Sequence, residues 1–265
     1  MKPLLSVNNL SVTYKDDSLA LQKLSFSMNK GEIIGIVGES GSGKSTLIRA
    51  LLGLLPEGGR YTGGEIFFQE KVLLRESRLN WRGVRGKRIA MVFQDSGSYL
   101  NPIRSIGSQY IEAIRNHFTV TRKTAQTMAL NMLSDMGLDD PERIMCAYPS
   151  QLSGGMKQRT AIAMAVTMEP ELLLADEPTS ALDVTTQNEV MNRLSELRSR
   201  QGTGMIIVTH NIAIAAHMAD RIGVMRGGTL VEMGDTFRVI SDPRHEYTRK
   251  LLSAVPELEG NVHGS

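Results

Sequence analysis

Gly38-Glu39-Ser40-Gly41-Ser42-Gly43-Lys44-Ser45 stands directly after the apolar run Ile33-Ile34-Gly35-Ile36-Val37. A helix-patterned stretch through Leu47, Ile48, Leu51 and Leu52 follows it. The octet fits G-x-x-x-x-G-K-[ST]. Glycines let backbone N–H groups wrap a phosphate because no side chain blocks the approach, and a helix opening at that point adds partial positive charge. Lys44 is then expected to reach the outer phosphates, and the Ser45 hydroxyl to ligate Mg2+. An uninterrupted apolar run before such a turn reads as a strand buried on both faces of a parallel sheet. Strand, phosphate-binding turn and helix in this order point to an α/β fold.

Outward from this centre the pattern keeps changing. Residues 5–28 alternate like strands, through Leu5, Val7, Leu10, Val12, Tyr14, Leu24, Phe26 and Met28. Strand character returns at 61–74 and again at 89–93. From about Ile103 to Met168 the signal is mostly helical, with Ile106, Tyr110, Ile114, Ala129, Met132, Leu133 and Met136. Residues 172–175 and 205–208 read as short buried strands, and 222–232 as a hairpin around Gly227-Gly228. The predicted order is β, α/β, a helical insertion, and α/β again. Residues 260–265 are expected to fray.

Composition narrows the class. The 265 residues are 41% hydrophobic and 22% charged, as in globular proteins, and Lys+Arg 30 against Asp+Glu 28 leaves a net charge of +2. That is too little for the broad basic surface on which general nucleic-acid binding relies, so no nucleic-acid partner is expected. Seven basic residues lie between 71 and 88, interleaved with Trp81, and read as a solvated face whose long side chains pack over the indole. One cysteine, Cys146, excludes an internal disulfide framework and fits a reducing compartment. No apolar run approaches the ~18–20 residues of a membrane-spanning helix. The fifteen methionines read as flexible core filling.

A phosphate loop needs an acid to position the metal and another to activate water. Leu172-Leu173-Leu174-Ala175-Asp176-Glu177 offers both at the end of a buried strand: Asp176 for Mg2+ through its water shell, Glu177 for the attacking water. Leu152-Ser153-Gly154-Gly155-Met156-Lys157-Gln158-Arg159 is a second glycine element opening a helix. It is either a simple helix cap or a second anion site. A chain with one nucleotide loop has no use for a second unless it completes another molecule's site.

These residues resemble the ATP-binding cassette (ABC) ATPases over about residues 4–255. Gly38–Ser45, with Thr46 behind it, is similar to the Walker A loop, Asp176-Glu177 to the end of Walker B, and Leu152–Gln158 to the family signature. Tyr14 stands where an aromatic stacks on adenine. Gln94 resembles the Q-loop glutamine that links Mg2+ and water to the helical insertion. Ser180-Ala181-Leu182-Asp183 resembles the D-loop, and His210 the switch histidine. The resemblance implies a P-loop NTPase (RecA-like) core with an antiparallel β subdomain and an inserted α-helical subdomain at about 96–168. It also implies one ATPase domain over 1–255 with a flexible tail at 256–265. Two such domains would pack head to tail around two ATP molecules, with Ser153, Gly154, Gly155 and Asp183 facing the other domain's nucleotide. The implied reaction is ATP and water to ADP and phosphate, with Mg2+ on Ser45, Gln94 and Asp176, and with Glu177, His210 and Gln94 as the catalytic set.

Departures point to a branch. Met156 replaces the glutamine often fifth in the signature, and Ser-Gly-Gly-Met-Lys-Gln-Arg resembles the importers of oligopeptides, dipeptides and nickel. The stretches Gln94–Pro102, ending Leu-Asn-Pro, and Asp242–Leu252, with Tyr-Thr-Arg-Lys-Leu-Leu, are similar to that branch, although Glu246 stands where its tail usually has Pro. Length and the single cysteine suggest the short nickel or metallophore type. The resemblance implies two integral membrane permease subunits, docked along Gln94–Pro102 and Tyr148–Gln151. It also implies a second, different ABC ATPase as heterodimer partner, an extracytoplasmic solute-binding protein, and a peripheral place on the cytoplasmic face of the cell (inner) membrane. An export ATPase and a soluble ATP-driven clamp on nucleic acid or ribosomes are the alternatives.

Overall fold

The structure is a computed structural model that describes residues 2–15, 18–75, 78–79, 81, 83–94, 96–180 and 182–254. Asp95, Ala181 and the expected tail at 256–265 lie outside the described residues. The chain divides into two compact units, 1–82 with 204–265, and 83–203.

The first unit begins with strands β1 (Leu5–Thr13) and β2 (Leu19–Met28), an antiparallel pair. Val7 and Leu10 both point inward although three residues apart, because Asn9 at φ +48° forms a bulge that restores the inward face. Strand β3 (Ile33–Val37) is buried throughout, and helix α1 (Lys44–Leu51) follows it. Strands β4 (Arg60–Phe68), β5 (Lys71–Arg75) and β6 (Arg78–Leu79) complete an antiparallel sheet in the order β2-β1-β4-β5-β6. Trp81 is buried. Its indole N–H donates to Leu51 O at 3.0 Å, and its ring lies 6.2 Å from that of Tyr61. Of the basic residues at 71–88, Arg75, Arg85 and Lys87 are exposed and Lys71 and Arg88 half-buried, while Arg82 lies outside the described residues. Arg75 pairs with Glu65 at 2.6 Å and lies over the Phe67 ring.

The second unit carries β7 (Ile89–Val92), then helices α2 (Ile106–His117), α3 (Arg122–Asp135), α4 (Pro141–Cys146) and α5 (Gly154–Val166). Strand β8 (Leu172–Asp176) pairs with β7 in parallel, and α6 (Val184–Gln201) closes the unit. Helix α2 packs on α3 and α4, and α5 packs on α3 and β7. Ile106, Tyr110 and Ile114, at helical spacing, form the buried stripe of α2. Cys146 is exposed and unbonded.

The chain then returns to the first unit with β9 (Gly204–Thr209), α7 (Ile212–Met218), the hairpin strands β10 (Arg221–Arg226) and β11 (Thr229–Asp235), and helices α8 (Thr236–Ser241) and α9 (Glu246–Ser253). Strand β3 lies between β9 and β10 and parallel to both, and β11 runs antiparallel beside β10. Ile33, Ile34, Ile36, Met205, Ile206, Val208, Ile222 and Val224 are almost fully buried there. Each such aliphatic side chain contributes about 1.5–3 kcal/mol of transfer free energy. That burial holds the C-terminal end of β3, from which the glycine loop springs, as a fixed platform.

Candidate nucleotide site

The loop Gly38–Ser45 joins β3 to α1, as the motif requires. Two of its glycines are obligatory. A Cβ on Gly38 would stand 2.2 Å from Met225 O, and one on Gly43, at φ +103°, would stand 2.7 Å from Ala20 O. Lys44 is buried at the start of α1, and its ammonium turns back to Gly38 O (2.7 Å) and Glu39 O (2.8 Å). Within the loop Ser42 is buried, whereas Glu39, Ser40 and Gly41 are exposed. A Cβ on Gly41 would meet nothing within 4 Å. The loop is therefore rigid at its flanks and open at its crown.

Helix α1 differs from the other α-helices described. Each of the other eight opens on a residue whose side chain accepts a backbone N–H. The cap of α1 is Gly43, which brings no side-chain acceptor. A helix start capped by glycine, which offers no side-chain acceptor of its own, fits an anionic ligand, so the loop fits a nucleotide's phosphates. Tyr14 sits beside this helix with its hydroxyl 3.1 Å from Thr46 Oγ1. His210 follows β9, whose Thr209 is in register with Val37, so it emerges at the same strand end as the loop. Tyr14, Gly38–Thr46 and His210 thus belong to the first unit.

The remaining candidates belong to the second unit. Asp176 is buried at the end of β8, and Glu177 beyond it is half-buried. Gln94, just past β7, donates from Nε2 to Glu177 Oε2 at 3.2 Å. The parallel register of β7 and β8, with Val92 opposite Ala175, places these two strand ends side by side. Glu177 has φ +47°, a left-handed conformation that costs a non-glycine residue about 1–2 kcal/mol.

Ser153 caps α5 by accepting Met156 N–H at 3.2 Å, so the simple helix-cap reading of this element is realised. The anion-site reading stays compatible with it, because a Cβ on the next residue, Gly154, would meet nothing within 4 Å. Asp183 caps α6, accepting Thr186 N–H at 3.0 Å and the Thr186 hydroxyl at 2.7 Å.

Among the described residues no group of three or more His, Cys, Asp or Glu side chains could hold a metal ion. Mg2+ bound with phosphates keeps several waters and needs only one or two protein oxygens. The Ser45 hydroxyl, the Asp176 carboxylate and the Gln94 amide oxygen are donors of that hard-oxygen kind.

Two site-linked residues were not singled out by sequence. The Gln158 amide, buried on α5, donates to Pro178 O at 2.5 Å and Glu177 O at 3.4 Å. The Tyr247 hydroxyl accepts Glu39 N–H at 3.0 Å. Gln158 was visible as the end of the signature stretch and Tyr247 as part of the Tyr-Thr-Arg stretch, but neither partner is local.

Comparison with known proteins agrees with this chemistry. The chain matches the ABC transporter family over residues 21–180, and the oligopeptide/dipeptide transporter C-terminal region over 231–264. It is 42% identical to the dipeptide transport ATP-binding protein of Bacillus subtilis, over 98% of this chain and 79% of that one. Its identity to the oligopeptide transport ATP-binding protein of the same organism is 40%, over 97% of this chain and 73% of that one. Among solved structures, a dimeric bacterial ABC transporter cassette superposes with a TM-score of 0.78 at 29% identity, covering 88% of this chain and 98% of that one. A post-hydrolysis dimer bound to ADP and phosphate gives 0.77 with the same identity and coverage. From the loop, the strand ends and these likenesses together, the chain belongs to the ABC transporter family as one of its ATP-hydrolysing cassettes.

Proposed function

We propose that this ATPase powers a multi-subunit membrane importer of di- or oligopeptides. The supporting observation is the double likeness: the cassette at 21–180 and the peptide-transporter C-terminal region at 231–264 occur in one chain. The relatives reported above are named for dipeptides and oligopeptides, and neither is named for nickel or a metal chelate, the cargo that chain length suggested.

In the proposed reaction Gly38–Thr46 take the phosphates of ATP and Tyr14 stacks on adenine. Ser45, Gln94 and Asp176 are the residues that would hold Mg2+, whose charge would offset that of the phosphates. Glu177 orients or deprotonates the attacking water, with Gln94 holding the carboxylate in place and His210 contacting the outer phosphate. Ser153, Gly154, Gly155 and Asp183 serve the nucleotide of a second cassette, a different chain in this branch. No helix among the described residues is long and apolar enough to cross a membrane. Peripheral attachment to two permease subunits on the cytoplasmic face is the proposed arrangement. Tyr99 and Tyr148, large and exposed, lie in the segments assigned to that docking. A solute-binding protein outside the membrane would deliver the peptide.

The test is a pull-down of tagged Glu177→Gln protein from detergent-solubilised membranes with ATP and Mg2+. Co-purification of two multi-spanning proteins and a second cassette is the expected result. Recovery of soluble proteins or nucleic acid alone, with ATP binding intact, would replace the transport reading by the clamp.

A further inference from the structure

The phosphate loop is gripped by the C-terminal part of the chain. Gly228 N–H, in the β10–β11 hairpin, donates to Ser42 O at 3.0 Å. Met225 O fills the space beside Gly38. The Tyr247 hydroxyl, on α9, accepts the N–H of Glu39, the first peptide beyond Gly38, at 3.0 Å.

Tyr247 is itself held. It is 4% exposed, the Arg226 guanidinium lies over its ring at 5.1 Å, and its own N–H donates to His245 Nδ1 at 3.1 Å. The start of α9 is anchored to β11 by the Glu232 carboxylate, which accepts the N–H of Arg244 at 2.8 Å and of His245 at 3.0 Å. A hydroxyl on a fixed ring therefore meets a backbone amide in a segment rich in glycine.

We propose that Tyr247 is a positioning residue for nucleotide binding: its hydroxyl pins the Glu39 peptide and keeps the phosphate loop in the conformation that receives phosphates. The inference rests on the reading of residues 38–45 as that loop. The physics is pre-organisation. Gly41, with nothing packed against it at the crown, gives the segment beyond Glu39 access to other backbone states, and apparent affinity falls in proportion to the fraction of molecules in the receptive one. Removing the hydroxyl leaves the Glu39 N–H without its acceptor and lets the loop leave that state. The C-terminal region would then be part of the nucleotide site and not an appendage to it.

The experiment compares the full chain with Tyr247→Phe, which keeps the ring, its burial and the Arg226 contact while deleting one oxygen. Both are titrated with a fluorescent ATP analogue and Mg2+, and both are melted. The expected result is affinity weaker by about five- to tenfold with Tm nearly unchanged. In steady-state hydrolysis KM rises by the same factor while kcat holds. Equal affinities overturn the proposal, as does a loss matched by a fall in Tm and in kcat. If Tyr247→Phe does not fold, Glu232→Gln loosens the α9 anchor with the hydroxyl still present, and about a twofold loss is expected. Unchanged affinity in that variant overturns the proposal too. A wild-type chain that fails to bind the analogue removes the loop assignment itself, a result distinct from equal binding by both.

Discussion

The buried side-chain amide of Gln158 donates to the carbonyl of Pro178 at 2.5 Å, and its reach extends to Glu177 O at 3.4 Å. Gln158 lies on the helix that begins Ser153-Gly154-Gly155, whereas Glu177 carries the carboxylate proposed to activate water. One side chain therefore joins the signature helix to the backbone of the candidate base, at a residue whose φ of +47° is unfavourable. Such a conformation persists only where neighbours over-determine it.

The first prediction follows from that tether. Gln158→Leu keeps the volume but removes the amide N–H groups, so the Pro178 carbonyl loses the donor that meets it at 2.5 Å, at a cost of about 1–3 kcal/mol. Glu177 then loses one of the contacts that hold it in the left-handed region, while the bonds from Ser180 to its carbonyl remain. The expected outcome is a fall in kcat of roughly tenfold or more, with ATP affinity held within about twofold. Steady-state kinetics beside a binding titration measures both, and an unchanged kcat would show that the tether does not serve the reaction.

Glu177→Gln replaces the candidate base with a group that cannot take a proton, while its backbone and the bond from Gln158 remain. Hydrolysis should drop by about 10²–10⁴-fold, the usual contribution of a positioned base, with ATP binding retained. Phosphate release measured in the assembled transporter is the check. Residual turnover close to wild type would move the role to another residue.

Lys44→Ala tests the loop. The ammonium is buried and directed at Gly38 O and Glu39 O, so it is held at the loop's centre. A charge-assisted bond to phosphate contributes about 1.5–3 kcal/mol, so ATP affinity should fall by roughly ten- to a hundredfold. Calorimetric titration of the two proteins reads this directly. Affinity within twofold of wild type would put the phosphates elsewhere.

The loop, β3 and α1 were legible because their signals are local: an apolar pentad, glycines at fixed spacing, then a helix-period stripe. Asp176-Glu177 was legible for the same reason. Gln94 and His210 entered through family resemblance, since a glutamine or histidine after a strand carries little by itself. The Gln158–Pro178 and Tyr247–Glu39 bonds were not legible. They join residues 20 and 208 positions apart, and only strand order and helix packing decide which side chain meets which carbonyl or amide. The caps show the middle case. Ser153 and Asp183 each announce a helix start, yet sequence could not say whether they only cap or also meet a ligand.

The last prediction concerns stability and pH in the helical part of the second unit. Tyr110 is fully buried on α2, where its hydroxyl meets Thr167 Oγ1 at 2.6 Å, and Thr167 in turn donates to Ala163 O at 2.7 Å. Burial pushes the Tyr110 phenol well above its ordinary value of 10.0, and the bond to Thr167 only partly offsets this. A phenol raised in the folded state keeps its proton after the unfolded chain has lost its own. The folded protein therefore binds more protons above pH ~10, and stability must fall as pH rises through that range. Tyr110→Phe removes this contribution to the slope, together with one buried hydrogen bond. At neutral pH the variant should lose about 1 kcal/mol. Between pH ~9 and ~11 the gap to wild type should narrow, because only wild type carries this phenol's penalty. Chemical denaturation of both proteins across that range provides the measurement. A gap that widens with pH would mean that the hydroxyl ionises more readily in the folded protein than burial allows.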